Sequence, residues 1–419
     1  MASNNQDLQL KVTGYSDRFS VRPGDEIKFY VHSERGEAFQ ADIVRLIHGD
    51  TNPEGPGLKE ELIHSPISDM HPGKNQPIHT GSYIFVPHNN LMNLSSFTMC
   101  AYIYPTTPYV DVEGVEVGVQ AIMTKWDAEN ETGYGLFINS DGELCLRIGR
   151  GKSKVEEFST GKPLFRKIWY KIGASYDAST GKVRVFQSPY VTHTNGGHGM
   201  SMLHPRNDTE GEYNGSSLMG SAPANDCPFL IGASTKKTKS GRYISGGHFK
   251  HLESSEEIPE HTQKYNGKVE RPKLVNRALD KGEIESLLSN QGIEYVSNEL
   301  RDAVIGAWDF AANIKPNAAS TLIVDKSLCK LNGSAINMPI RGVPGFNWSS
   351  DYMSFLHGPH EYGAIHFHDE SVDDARWDES FKFTVPDNLP SGVYAARLRV
   401  NRLTDAENED YIPFFVRPP

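Results

Sequence analysis

The sequence predicts an all-β chain in which a two-sheet sandwich is split by a large inserted jelly roll. Short runs at both ends alternate apolar and polar residues, as half-buried antiparallel strands require. Gly (38) and Pro (25) are frequent enough to supply the many turns such a chain needs. A βαβ rhythm is missing, and with it the crevices in which parallel sheets hold nucleotides. At 419 residues the chain exceeds one compact core, so more than one domain is expected.

At the N-terminal end Leu8, Leu10 and Val12 alternate with polar residues. A Val21-Arg22-Pro23-Gly24-Asp25 turn follows, after which Ile27, Phe29 and Val31 alternate again. Ala41 to Ile47 reads as a third strand, and residues 48–79 read as a crossover rich in turn residues. Three strands do not make a stable sandwich, and the missing partners stand at the other end of the chain. There Phe381, Phe383 and Val385 alternate, and Pro390-Ser391-Gly392 turns the chain. Tyr394, Ala396, Leu398 and Val400 then share one face, and Ile412, Phe414 and Val416 alternate last. With a strand around His366, about seven short strands result, the content of an immunoglobulin-like sandwich. The expected division is 1–76 and 339–419 for the two sandwich halves, with 77–338 inserted between them.

Within the insertion, SYIFVP, SSFTMCAYIYP, GVQAIMTKW, YGLFINS, GELCLRIG, IWYKIGASYD, KVRVFQ and CPFLIGA read as strands. Asn139 to Gly142 and Asp177 to Gly181 read as hairpin connections. Asp280 with Glu283 forms a capping box ahead of Ile284, Leu287 and Leu288, so one short helix is expected. The polar stretch from Ser188 to Asp226 is too long for an ordinary connection and reads as a surface flap or subunit contact. SSFTMCAYIYP, IWYKIGASYDASTGKVRVF, GKVERPKLVNRALDKGEIESLL and VIGAWDF resemble, in order, the core strands and closing helix of the concanavalin-like, laminin-G family. That resemblance implies a fold and not a ligand.

The net charge of −11 and the lack of a basic stripe argue against nucleic acid, because a binder must neutralise phosphates. The start MASNNQDLQLKV shows neither the basic nor the apolar region of a secretory signal. No apolar run approaches a membrane span. The four cysteines, Cys100, Cys145, Cys227 and Cys329, are scattered without a C-x-x-C pair and read as free thiols of a reducing compartment. A cytoplasmic protein is the expectation, without a nucleic-acid or membrane partner.

Chemistry is sparse. His357 and His360 precede a strand on which His366 and His368 stand two residues apart, followed by Asp369 and Glu370. Residues i and i+2 of a strand face the same way, so His366, His368 and Asp369 are the candidate metal ligands, although a zinc site uses three or four. The alternative is that these histidines bond backbone and carboxylates at a domain junction. Asp111-Val112-Glu113-Gly114-Val115-Glu116 places acids at alternate positions, as some jelly-roll glycosidases do, but it follows Pro105 and Pro108 and reads as a solvated loop. The sequence contains no G-x-S-x-G, P-loop or dinucleotide fingerprint. Trp126, Trp169, Trp308, Trp348 and Trp377 could stack on sugars, yet core packing accounts for most of them. No catalytic or cofactor-binding residue is assigned.

Several longer runs carry a more specific resemblance. They are GYSDRFSVRPGDEIKFYV (14–31), ADIVRLIHGDTNPEGPGLKEE (41–61), GAWDF (306–310), NMPIRGVPGFNW (337–348), EYGAIHFHDE (361–370) and VPDNLPSGVYAARLR (385–399). In these the chain resembles the N-terminal part of the N,N-dimethylformamidase large (β) subunit family. The resemblance implies a role in hydrolysing small N-substituted formamides to an amine and formate. It implies an iron centre held by tyrosine and glutamate in an α/β domain expected after PFFVRPP, so no iron ligand carries over onto a residue of this sequence. The expectation is therefore a non-catalytic scaffold that assembles with a catalytic domain or subunit, in an oligomer. Arg341, Trp348, Tyr362, His366 and His368 are the expected domain-junction or partner contacts. The competing readings are a stand-alone lectin-like module and a metal-dependent hydrolase using the cluster from His357 to His368.

Overall fold

The computed structural model describes residues 10–50, 52, 54–110, 113–192, 194, 206–217, 220–289, 292–314, 320–400 and 407–418. They form two compact units, one of Met1–Ile78 with Ala375–Pro419 and one of His79–Asp374. Both are built from strands.

In the split unit, Val12–Ser16, Glu26–Ser33 and Phe381–Thr384 make one sheet. The other contains Ser20–Val21, Glu409–Val416, Gly392–Val400, Phe39–His48 and Lys59–Ile63 in that order, with Asp69–His71 also paired to Phe39–His48. The alternation read from the sequence places Ile27, Phe29 and Val31 in the same apolar cluster as Tyr394, Ala396, Leu398, Ile412 and Phe414. Gly24 takes a φ of 85° in the predicted turn, and the Asp25 carboxylate accepts the Arg22 N–H at 2.8 Å. The stretch expected as a crossover contains two of these strands, Lys59–Ile63 and Asp69–His71. Leu8 lies outside the described residues.

The strand around His366 does not belong to the sandwich. Ala364–Phe367 pairs with Gly267–Val275 and Ile340–Val343, and residues 339–374 sit in the inserted unit. The second sandwich half thus begins at Ala375 rather than at residue 339. Alternation places a strand on the rim of some sheet, but only the hydrogen-bonded register says which.

The insertion is a jelly roll whose two sheets enclose an apolar cluster from Ile84 to Phe367. Phe97–Pro105, buried along almost its whole length, lies between Tyr170–Tyr176 and Gly267–Val275. Asn139 Oδ1 accepts the N–H groups of Asp141 and Glu143 in the first predicted hairpin. The capping box is reciprocal, with Asp280 N–H donating to Glu283 and Glu283 N–H to Asp280, at 2.9 and 2.8 Å. It opens the helix Lys281–Ser289, which buries Ile284, Leu287 and Leu288. Two further short helices, Arg206–Thr209 and Asn298–Ala303, were not expected. Of the Ser188–Asp226 stretch, Gly211–Ser216 forms a strand against Lys182–Pro189. Residues 193, 195–205, 218 and 219 of that stretch, and with them much of the supposed flap, lie outside the described residues.

The first and last residues of the jelly roll are tied together. Gly81 and Ser82 N–H donate to the carbonyls of Ser371 and His368, at 2.7 and 2.8 Å. Asn337, fully buried, donates to the carbonyls of His79 and Gly81. Lys264 bridges Thr80 Oγ1 and the Asp369 carbonyl. Gly81 has a φ of 103° and lies so close to Lys264 that a Cβ would stand 2.3 Å from its side chain.

The two sandwich halves carry an ion cluster across the Phe39–His48 and Gly392–Val400 pair. Arg397 and Arg399 both donate to Asp42 Oδ2, at 3.0 and 2.7 Å, and Arg397 also meets Glu60. Burial raises the Asp42 carboxyl, but the hydrogen bonds and charges of the two arginines outweigh it and hold the group below its ordinary value. Its stabilising contribution is therefore complete above an unfolded-state pKa of about 3.9 and is lost as pH falls through the lower folded value. Asp42→Asn should cost roughly 3 kcal/mol at neutral pH, since it leaves two largely buried guanidinium groups without their shared anion. Urea denaturation across a pH series checks this, and the gap between variant and parent should close at the acid end.

Candidate functional site

The residues singled out from sequence are brought together only in part. His366 and His368 do share a face, with ring centroids 4.3 Å apart, while Phe367 points into the core. Burial pushes His366 down to about 4, assisted by His368 and Lys268, so the ring stays neutral near pH 7. Asp369 takes part through its backbone, its N–H donating to Asn266 and its carbonyl accepting from Lys264. His360 stands 3.7 Å from Glu361, and Ser354 Oγ lies 3.3 Å from His357 Nδ1. Among the described residues no three His, Cys, Asp or Glu side chains gather within reach of one metal ion. Two imidazoles do not fit an iron or zinc centre.

The other candidates hold backbone in place. Arg341 donates to four carbonyls, those of Ser320, Leu322, Phe310 and Ala312, at 2.7 to 3.2 Å. Trp348 Nε1 and Tyr362 Oη both donate to the Tyr352 carbonyl. Buried Glu361 accepts the N–H and hydroxyl of Ser349. In the acidic run, Glu113 to Glu116 are exposed, and Asp111 and Val112 lie outside the described residues. Trp126, Trp169, Trp308 and Trp377 are buried.

A site that the sequence reading passed over lies in the strand Gly267–Val275. Pro272 lacks an N–H, and the ladder against Phe97–Pro105 shifts between Glu270, opposite Tyr102, and Lys273, opposite Cys100. One extra residue is accommodated there, with Arg271 at a φ of 50°. The bulge turns Glu270 and Lys273 towards a cavity of about 950 Å³. Its other walls include Tyr295, Asp309, Ala311, Lys326, Asn347 and His360.

Glu270 is 1% exposed, and its Oε2 accepts the Phe346 N–H at 2.9 Å. Gly345 and Gly363 press against the carboxylate, and a Cβ on them would stand 2.3 and 2.8 Å from its oxygens. Arg271 stacks over Phe346, which lies face to face with Tyr102. Burial pushes Glu270 up to about 7, against the opposing pull of Arg271, the Phe346 N–H, Lys268 and Lys273. Burial pushes Lys273 down to about 8, with Cys100 opposing. Near neutrality the acid is half ionised and the amine mostly charged. Two groups that titrate close to pH 7 in one cavity form an arrangement able to bind or move protons.

Comparison with known proteins agrees along almost the whole chain. Residues 340–419 match the family described as N,N-dimethylformamidase beta subunit-like, C-terminal. Over 414 residues, 98% of the chain, it is 34% identical to the N,N-dimethylformamidase beta subunit of Alcaligenes sp and 32% identical to that of Paracoccus aminophilus. The chain is similar to the N,N-dimethylformamidase beta subunit family. It spans about half the length of these relatives, 49% of each. Among solved structures, it is similar to a protein from Bacteroides ovatus described as a candidate carbohydrate binding protein, with 14% identity and a TM-score of 0.37 over 84% of this chain and 71% of that one. A heptameric SAP-like pentraxin from Limulus polyphemus gives 17% identity and a TM-score of 0.28 over 62% and 86%. Likenesses this distant do not bear on what the chain does.

A proton count tests the geometry of Glu270. The unfolded carboxyl titrates near 4.3, whereas the folded one holds its proton up to about 7, so folding takes up a proton between those values. Its contribution to stability is complete below the lower value and is lost as pH rises through the upper one. Glu270→Gln, which keeps an acceptor for Phe346, should remove that slope between about pH 4 and 7. Calorimetric melting across this range is the check, and an unchanged slope would place the titration elsewhere.

Proposed function

We propose that this chain is a non-catalytic scaffold and assembly region of a dimethylformamidase-like amidohydrolase acting on small N-substituted formamides. The iron centre that the family resemblance implies would be supplied by a polypeptide segment or subunit outside these 419 residues. The observation that carries this reading is the use made of the side chains in the family-matched region. Arg341 is committed to four carbonyls, Glu361 to Ser349, and Trp348 and Tyr362 to Tyr352. Such groups shape a surface by fixing loops and are not poised for bond breaking. His366 and His368, close to the end of the jelly roll, are the proposed contacts with the catalytic partner, together with Arg341, Trp348 and Tyr362. The relatives are named as subunits, which supports a partner in the assembly.

Metal content and dimethylformamide hydrolysis of the purified 419-residue chain test the reading directly. We expect neither stoichiometric iron nor turnover. Bound metal accompanied by turnover would overturn it and return the histidines to consideration as ligands. Replacing His366 and His368 with alanine should weaken assembly with the catalytic partner while leaving the melting temperature of the isolated chain nearly unchanged. Unaltered assembly would remove these residues from the contact surface.

A further inference from the structure

We infer that the cavity beside the bulged strand Gly267–Val275 binds a small organic carboxylate, with the Lys273 ammonium as anchor and Glu270 as a second hydrogen-bonding group. This is independent of the scaffold reading. The starting point is a charge without a counterion. Lys273 is 5% exposed, and among the described residues its Nζ has one hydrogen bond, a long one of 3.5 Å to the Arg271 carbonyl. Among the described residues it forms no ion pair within 4.0 Å; the nearby Asp309 is engaged with the Ala311 N–H and faces Lys326 at 4.0 Å.

A second buried lysine in the same unit shows what a structural role looks like. Lys125 places its three protons on His88 Nδ1 and the carbonyls of Asn225 and Cys227, at 2.7 to 3.1 Å. Lys273 has nothing comparable. An ammonium removed from water without such partners is costly, and an anion arriving through the cavity supplies them.

The surroundings favour a carboxylate with an apolar body. A volume of about 950 Å³ admits a ligand far larger than an inorganic ion. Pro272, Ile293, Tyr295, Ala311 and Ala312 add apolar wall to the charged one. Glu270 in its protonated form can donate to one ligand oxygen while Lys273 holds the other, so both oxygens of a carboxylate are satisfied. The remaining charged groups of the cavity are Arg271, Glu294, Asp309, Lys326 and His360, and Lys268 acts on Glu270 from the same strand.

Benzoate and its neutral isostere benzamide are suitable probes, titrated calorimetrically into the full chain near neutral pH. Benzoate should bind at least tenfold more tightly than benzamide, a difference of about 1.4 kcal/mol. Lys273→Met, which keeps the apolar stem, should lose at least tenfold in benzoate affinity without a fall in melting temperature. Equal binding of the two probes, no binding of benzoate at about 10 mM, or full affinity in Lys273→Met would each overturn the inference. If the variant fails to fold, the comparison of probes on the parent chain decides alone.

Discussion

The split architecture depends on the short hydrogen-bonded neck that joins residues 79–82 to 368–371. Phe39–His48 and Gly392–Val400 pair in register although the insertion separates them by more than 340 positions in sequence. A disordered chain of that length would make their meeting a slow, non-local event. The neck removes the difficulty, because a folded jelly roll presents its two ends side by side. The sandwich closes its own side similarly, with Asp378 N–H donating to Gln76 and Lys74 paired to Asp378. Asn337 and Gly81 are demanded by this arrangement. One fills a buried position between two carbonyls, and the other permits a backbone path that a side chain would block.

The cavity follows from a different constraint. A proline in the middle of a central strand must be accommodated by a bulge, and the bulge decides where its neighbours point. In an unbroken ladder from Glu270 opposite Tyr102, Lys273 would stand opposite Met99 on the other face of the sheet, whereas the bulge sets it opposite Cys100. Their shifted titration is a consequence of that placement, since burial is the largest cause for both. The loops fixed by Arg341 and Glu361 contribute Ala311, Ala312, Asn347 and His360 to the walls of that cavity.

Period-two alternation identified Ile27 to Val31, Tyr394 to Val400 and Ile412 to Val416 because one face of each is buried and the other wet. The capping box was legible because it needs only local spacing. Lys59–Ile63 and Asp69–His71 were hidden because they are short, charged and largely exposed, so their strand character comes from pairing alone. The strand around His366 was visible as a strand but not as a member of the jelly roll, since its partner Lys268 in the jelly-roll strand Gly267–Val275 lies far away in sequence. Glu270 and Lys273 were passed over because charges along a strand normally mean a solvated edge. Pro272 was the available signal. No sequence pattern, however, reports that Gly345 and Gly363 close over the carboxylate.

The adjacency of the two ends of the jelly roll also bears on how such a chain can arise and be rearranged. A domain whose termini nearly touch can be gained or lost by its host in a single recombination event without changing the register of the surrounding sheets. For the same reason the jelly roll by itself should tolerate being reordered, with new ends opened at the exposed Ser140-Asp141 pair and its own two ends joined. The 296 residues from His79 to Asp374 form a structural unit that such an event could move as one segment.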